Sequence, residues 1–223
     1  MLPPELHECA SRLSSSFDEI DDARKNDLRV LAGHIVAALQ NGKVEICVIC
    51  THNSRRSQIG QLWFAAAAAF YSIENLYSYS GGTEATAFHP NAVKALKSAG
   101  FPLENTGATV DGTTNVIYHS DIIEHSKLFS KRFSDPQNPQ KEFIAILVCS
   151  QADEACPHVP GAKKRVFLPF EDPKHADKTP QEAETYTNTV NSIGREVLFT
   201  LHTAQSQTQR ANETEATANG NVA

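Results

Sequence analysis

The residues best suited to chemistry stand together as Cys50-Thr51-His52-Asn53-Ser54-Arg55-Arg56-Ser57. A β-branched apolar run, Val44 to Cys50, precedes them, and Gln58-Ile59-Gly60-Gln61-Leu62-Trp63-Phe64 with five alanines follows. The first run suits a buried strand and the second a helix. Cys50 therefore ends a strand and Ser57 lies near a helix start, with five residues between Cys50 and Arg56. A loop of that length can wrap its backbone N–H groups around a tetrahedral oxyanion, and the helix start adds unpaired donors and a positive dipole end. Arg56 offers a planar fork to two anion oxygens. The same field favours the nucleophilic thiolate of Cys50, to which the Ser57 hydroxyl can donate. Thr51, His52, Asn53, Ser54, Arg55 and Arg56 form the candidate oxyanion-binding set, Arg55 by its added positive charge. The bland alternative is a cysteine that packs as a small apolar residue beside two solvated arginines.

Further reactive residues lie downstream. Phe143 to Cys149 reads as the clearest buried strand, Ser150 to Pro160 as a loop bearing Cys156, and Arg165 to Phe170 as another strand before Glu171-Asp172-Pro173. Alone, Asp172 would be a turn cap before proline; with an anion loop in the same protein it becomes a candidate general acid. Cys9 and Cys47 are assigned to packing. Cys47 and Cys50 form a C-x-x-C, but strand alternation puts them on opposite faces and no second pair exists, so no metal site is expected. His52, His89 and His158 read as loop residues.

The elements that must position these groups follow from the pattern. Met1 to Gly42 reads as a helical extension closed by Asn41-Gly42. Leu76 to Ser80 reads as a second strand ended by Gly81-Gly82, and Asn91 to Ala99 as a helix opened by His89-Pro90. Phe101 to Lys141 suggests a hairpin turning at Asp111-Gly112, a short helix near Asp121 to Phe129, and a loop. Thr179-Pro180 opens a last helix carrying Val190, Ile193, Val197, Leu198 and Leu201 at helical spacing. Three units result: an N-terminal helical extension (1–42), a catalytic domain (43–204) and a disordered tail (205–223), the last from its Thr/Gln/Asn/Ala-rich composition. Strands alternating with helices imply an α/β fold, a doubly wound parallel sheet of about four strands. Ligands of such sheets bind at the carboxyl ends of strands, where Cys50, Cys149 and Asp172 all fall.

The 223 residues suffice for one domain with a real core. A net charge of −6 with no basic stripe argues against nucleic acid. No apolar run is long enough to span a membrane, and no apolar signal core begins the chain. The expectation is a cytoplasmic protein, in which five cysteines point to thiol chemistry over structural disulfides.

Cys50-x5-Arg56-Ser57 after a strand, with Asp172-Pro173 after a distant one, resembles the low-molecular-weight protein tyrosine phosphatase superfamily. Cys149-Ser150-Gln151-Ala152-Asp153-Glu154-Ala155-Cys156-Pro157 is similar to the segment that distinguishes its thioredoxin-coupled arsenate reductases, and Ser80-Gly81-Gly82-Thr83 and His89-Pro90-Asn91-Ala92 also resemble family segments. The resemblance spans roughly Val44 to Leu201. It implies Cys50 as nucleophile, Arg56 and the loop amides as anion holders, Ser57 as the group that activates Cys50, and Asp172 as proton donor. It further implies a relay in which Cys149 attacks the Cys50–arsenic adduct and Cys156 takes the disulfide to Cys149–Cys156 for thioredoxin to reduce. No tightly bound cofactor is implied, although in some members the asparagine matching Asn53 neighbours a K+ site. His52 stands where glycine is usual, which suggests strain or a narrowed mouth, and the Thr106 to Lys141 region is longer than in compact members. The first reading is a thiol-dependent arsenate reductase. The second is a phosphatase hydrolysing phosphomonoesters through a Cys50 phosphoenzyme, and the third a non-catalytic oxyanion-binding or redox-sensing module.

Overall fold

The computed structural model describes residues 2–123, 125, 127–155 and 158–220. Pro4–Ser14 forms helix α1, with proline at its first turn and Leu6, Cys9, Ala10 and Leu13 on its buried face. Asp22–Leu39 forms α2, capped by Asp21, whose carboxylate accepts from the Arg24 amide at 2.8 Å. Val44–Cys50 is strand β1, Arg56–Phe70 helix α3, Leu76–Gly82 strand β2 and Pro90–Ser98 helix α4. Glu104–Thr109 and Val116–His119 are strands β3 and β4, which pair antiparallel around Asp111-Gly112. Phe143–Leu147 is β5, Ser150–Ala155 helix α5, Ala162–Phe167 β6 and Glu182–Gly220 helix α6.

β1, β2, β5 and β6 form a parallel sheet in the order β2-β1-β5-β6. β1 and β5 are central and almost wholly buried, so their sequences are apolar on both faces. β6 is an edge strand and carries Lys163, Lys164 and Arg165, charges that discourage further pairing. From β1 the chain first turns to β2 on one side and later returns to β5 on the other. That reversal opens a crevice at the carboxyl ends of β1 and β5, the binding position of such sheets.

The N-terminal helices belong to the main core. Leu6, Leu13, Leu31 and Ile35 share one apolar cluster with β1, α3 and α6. α6 is tied to this region by Arg24–Glu196 at 2.8 Å, Arg195–Glu19 at 2.6 Å and an edge-on contact of Phe17 with Phe199. α6 also lies tightly on α3: a β-carbon at Gly194 would collide with the Trp63 indole.

Several expectations need correction. The tail from residue 205 was expected to lack structure, but α6 continues to Gly220. Alanine, glutamine, glutamate and arginine sustain a helix whose registry is already set by its buried first half, and no proline interrupts it. Gln205 donates to the Tyr71 carbonyl at 2.6 Å, fastening this continuation. The expected loop after Cys149 begins instead as α5, since Gln151 to Ala155 are competent helix formers and the Asp153 amide donates to the Cys149 carbonyl at 3.1 Å. The short helix near 121–129 is not formed among the described residues. Leu128 exchanges backbone hydrogen bonds with Tyr118 at 2.8 and 3.2 Å, so the segment follows the hairpin. Among the described residues no helix is long and apolar enough to cross a membrane.

Candidate active site

β1 delivers Cys50 to the crevice and α3 begins at Arg56, so the intervening loop must reverse within five residues. Asn53 makes the turn with φ +46°, a left-handed conformation that asparagine tolerates. His52 is not among the positive-φ residues, so the strain expected at that position is absent. Its side chain instead lines the mouth, 3.8 Å from Glu84.

Every carbonyl from Cys50 to Arg55 is tied to a donor. Thr83 N donates to Cys50 at 3.2 Å, Glu84 N to Thr51 at 2.8 Å, and Ser130 Oγ to His52 at 2.9 Å. Gln58 Nε2 donates to Asn53 at 3.3 Å, His89 N to Ser54 at 2.9 Å and Ile59 N to Arg55 at 3.0 Å. Ser54 adds its own hydroxyl bond to the Ala87 carbonyl at 2.6 Å. A β-carbon at Gly82 would collide with Thr51 O and Asn53 N, so only glycine lets β2 approach this loop. The amides of His52, Asn53, Ser54 and Arg55 donate to no protein acceptor among the described residues. A ring of fixed carbonyls and free N–H groups at a helix start is an anion cradle.

The Cys50 thiol stands at the end of a directional chain. Asn53 Nδ2, which can only donate, gives a hydrogen bond to Ser57 Oγ at 2.9 Å. The Ser57 hydroxyl therefore has its hydrogen free for Cys50 Sγ, 3.0 Å away. Cys50 is 4% exposed and lies at the base of the cradle. The adjoining cleft of about 710 Å³ is lined by His52, Arg56, Cys149, Gln151, Phe170 and Asp172, among others, and not by Cys50 itself.

Arg56 donates to the Phe170 carbonyl at 2.9 Å and to Asp172 Oδ2 at 2.6 Å. Asp172 Oδ1 accepts from Lys174 N at 3.1 Å, so Asp172 is both the turn cap and the partner of Arg56. Its carboxylate occupies the guanidinium that an oxyanion would claim.

Arg55 departs from expectation. It was assigned to oxyanion binding, but its side chain donates to Tyr186 Oη at 2.6 Å and to Asp177 Oδ2 at 2.9 Å and does not line the cleft. A guanidinium already holding two partners outside the cleft lining adds little to an anion in the cleft. Asp177, Tyr186 and the nearby His89 were not singled out for this role; the only signal was a second aspartate five residues after Asp172, opposite two adjacent arginines.

Cys149 lies just past β5, beside β1, with Leu147 in register with Ile49. Its Sγ is 3.4 Å from Thr51 Oγ1, which also reaches Gln151 at 3.3 Å. Cys50 and Cys149 thus stand as free thiols at the carboxyl ends of adjacent strands. Cys156 lies outside the described residues. Cys47 points to the other face and is fully buried, where desolvation pushes its thiol up to about 12.

Near Asn53, where the resemblance implies a K+ site in some members, the oxygens of that residue are already engaged. Its Oδ1 accepts from Lys131 N at 2.9 Å and Gln58 Nε2 at 3.3 Å, and its carbonyl from Gln58 as well. One bare oxygen nearby, Gln58 Oε1, is not a cation cage. Among the described residues no group of three or more His, Cys, Asp or Glu could hold a metal ion.

No family model matches the chain. It is 32% identical over 137 residues to an arsenate reductase of Bacillus subtilis, covering 61% of this chain and 79% of the relative. It is 32% identical over 143 residues to an arsenate reductase of Halalkalibacterium halodurans, covering 64% and 82%. Its fold is similar to that of a low molecular weight phosphotyrosine phosphatase from Vibrio cholerae, with a TM-score of 0.51 at 12% identity over 74% of this chain and 98% of that one.

Proposed function

Because this chain belongs to the family of arsenate reductases, we propose that it reduces arsenate to arsenite through Cys50, Cys149 and Cys156, with a thioredoxin-type dithiol as electron donor. Arsenate enters the cradle and takes Arg56 from Asp172. The Cys50 thiolate attacks arsenic, and one oxygen leaves as water with the proton supplied by Asp172. The Cys149 thiolate then attacks Cys50 Sγ. A Cys50–Cys149 bond forms, the sulfur–arsenic bond breaks, and its electron pair goes to arsenic, which departs as arsenite. Cys156 attacks Cys149, frees the Cys50 thiolate and leaves a Cys149–Cys156 disulfide. The external dithiol returns the two electrons by the same exchange.

The observation that carries this reading is the second thiol. Hydrolysis of an ester needs Cys50, Arg56 and Asp172 only, yet Cys149 Sγ sits against Thr51, the residue next to the nucleophile. A Cys156→Ser protein given arsenate without reductant tests it. Stoichiometric arsenite and a Cys50–Cys149 disulfide on peptide mapping are expected. Arsenite without that disulfide, or neither product, contradicts the relay.

A second reading is favoured by the width of the cleft. Its apolar edge at Pro169 and Phe170 has room for more than a small oxyanion. Hydrolysis of aryl phosphates through a Cys50 phosphoenzyme is expected as a side activity, insensitive to Cys149→Ser.

A further inference from the structure

The segment from Asp172 to Asp177 is held at both ends by neighbouring arginines. Arg56 grips Asp172 at 2.6 Å, and Arg55 grips Asp177 at 2.9 Å. Between them lies one turn of 3-10 helix, Pro173–Ala176. The two grips differ in what an incoming anion does to them. Arg56 lines the cleft, so its bond to Asp172 must break when an oxyanion takes the guanidinium. Arg55 does not line the cleft, and its bond to Asp177 is reinforced by Tyr186 and His89. Tyr186 Oη, on α6, accepts from Arg55 and donates to Asp177 Oδ1 at 2.7 Å. His89 stacks on the Tyr186 ring and has Nδ1 3.3 Å from its hydroxyl, while the His89 amide holds the Ser54 carbonyl. The charges are consistent with a fixed cluster. Burial pulls the Asp177 carboxyl upward, but the Tyr186 hydrogen bond and the Arg55 charge outweigh it and hold it low. Burial and Arg55 lower His89, keeping its ring neutral. Burial and the bond to Asp177 push Tyr186 up to about 12.

We propose that Arg55, acting through Asp177 and Tyr186, is a positioning residue that keeps the Asp172 segment over the anion loop after the oxyanion has displaced Asp172 from Arg56. Asp172 then swings about a tether that does not open, and its carboxyl delivers the proton to the leaving oxygen. Without the tether the whole segment is released with the carboxylate, and the acid is lost from the site for part of each turnover. The inference rests on the reading of Asp172 as the acid. It assigns to Arg55 a role apart from substrate binding, and it links the anion loop to α6, an element that contributes nothing else to the cleft.

A double-mutant cycle tests it. Tyr186→Phe keeps the ring stack and removes the hydroxyl; Asp177→Asn keeps the shape and removes the charge. Each is combined with Asp172→Asn, and kcat and KM are measured for arsenate reduction and for hydrolysis of phenyl phosphate, with thermal melts as a check on folding. In the parent background each single change should lower kcat about tenfold with KM little altered, as loss of acid placement requires. In the Asp172→Asn background the same changes should cost less than about twofold, since no acid remains to be placed. Equal losses in both backgrounds, or a rise in KM without loss of kcat, would overturn the proposal. Phenyl phosphate reads the acid without the dithiol relay. A parent protein inert toward arsenate but active on the ester would therefore overturn the reductase reading alone and leave the tether judged on hydrolysis. Inactivity toward both would overturn both.

Discussion

The hydroxyl of Ser57 accepts from Asn53 and so turns its hydrogen to Cys50. Under the proposed mechanism a neutral donor fixed by a buried amide, and not a histidine base, is the group placed to hydrogen-bond Cys50 Sγ. Hydrogen bonds to charged groups contribute about 1.5–3 kcal/mol. Ser57→Ala should therefore slow alkylation of Cys50 by iodoacetamide at neutral pH about tenfold, with oxyanion affinity less affected. An unchanged alkylation rate would assign the activation to the loop amides alone. Cys50, Arg56 and Ser57 were legible because they fall in one short stretch and their spacing alone describes a cradle. Cys149 and Asp172 were legible because apolar runs end beside them. Arg55 was misread because its partners, Asp177 and Tyr186, lie more than a hundred residues away and belong to a segment and a helix whose placement no local pattern dictates.

The elements that carry these residues divide by how their sequences encode them. β1 and β5 are buried on both faces, and short, largely apolar runs rich in Val and Ile announce that directly. β3 and β4 announce themselves by the Asp111-Gly112 turn. α5 and the second half of α6 do not, because polar helix formers carry no period when little of the surface is buried. Residues 1–42 were read as one helical extension, and their helices α1 and α2 pack into the main core. Leu31 on α2 is fully buried within the main cluster. Leu31→Ala should lower unfolding free energy by about 2–4 kcal/mol, read by denaturant melts. Turnover well below the new melting point should stay intact. A loss below about 0.5 kcal/mol, the size of a surface change, would mean that α2 packs loosely on the domain.

Global stability should carry a signature of one buried charge. Lys131 is 2% exposed, its ammonium over the Phe129 ring at 4.7 Å, and its amide holds Asn53. Burial lowers its pKa from 10.5 to about 8, against the pull of Cys47 and Asp135. Below the folded value the ammonium is charged in both states, and the native state bears the whole desolvation cost. Between the folded and unfolded values the unfolded chain binds a proton that the native chain has lost, so stability rises with pH. Lys131→Met should accordingly stabilise the protein at neutral pH, by up to about 3 kcal/mol. The advantage over the parent should shrink toward about pH 10 as that cost disappears. A gap that does not change with pH would show that Lys131 is solvated in the native state.

The same sheet that buries this lysine brings two thiols to the carboxyl ends of β1 and β5, and the account stands on what the second thiol does. Steady-state NADPH oxidation with arsenate, thioredoxin and thioredoxin reductase, comparing the parent protein with Cys149→Ser, tests that role. Arsenate-dependent oxidation by the parent and none above background by Cys149→Ser is the predicted result. Equal rates in the two proteins, or no oxidation by either alongside vigorous aryl phosphate hydrolysis by both, would contradict the relay and leave a phosphatase.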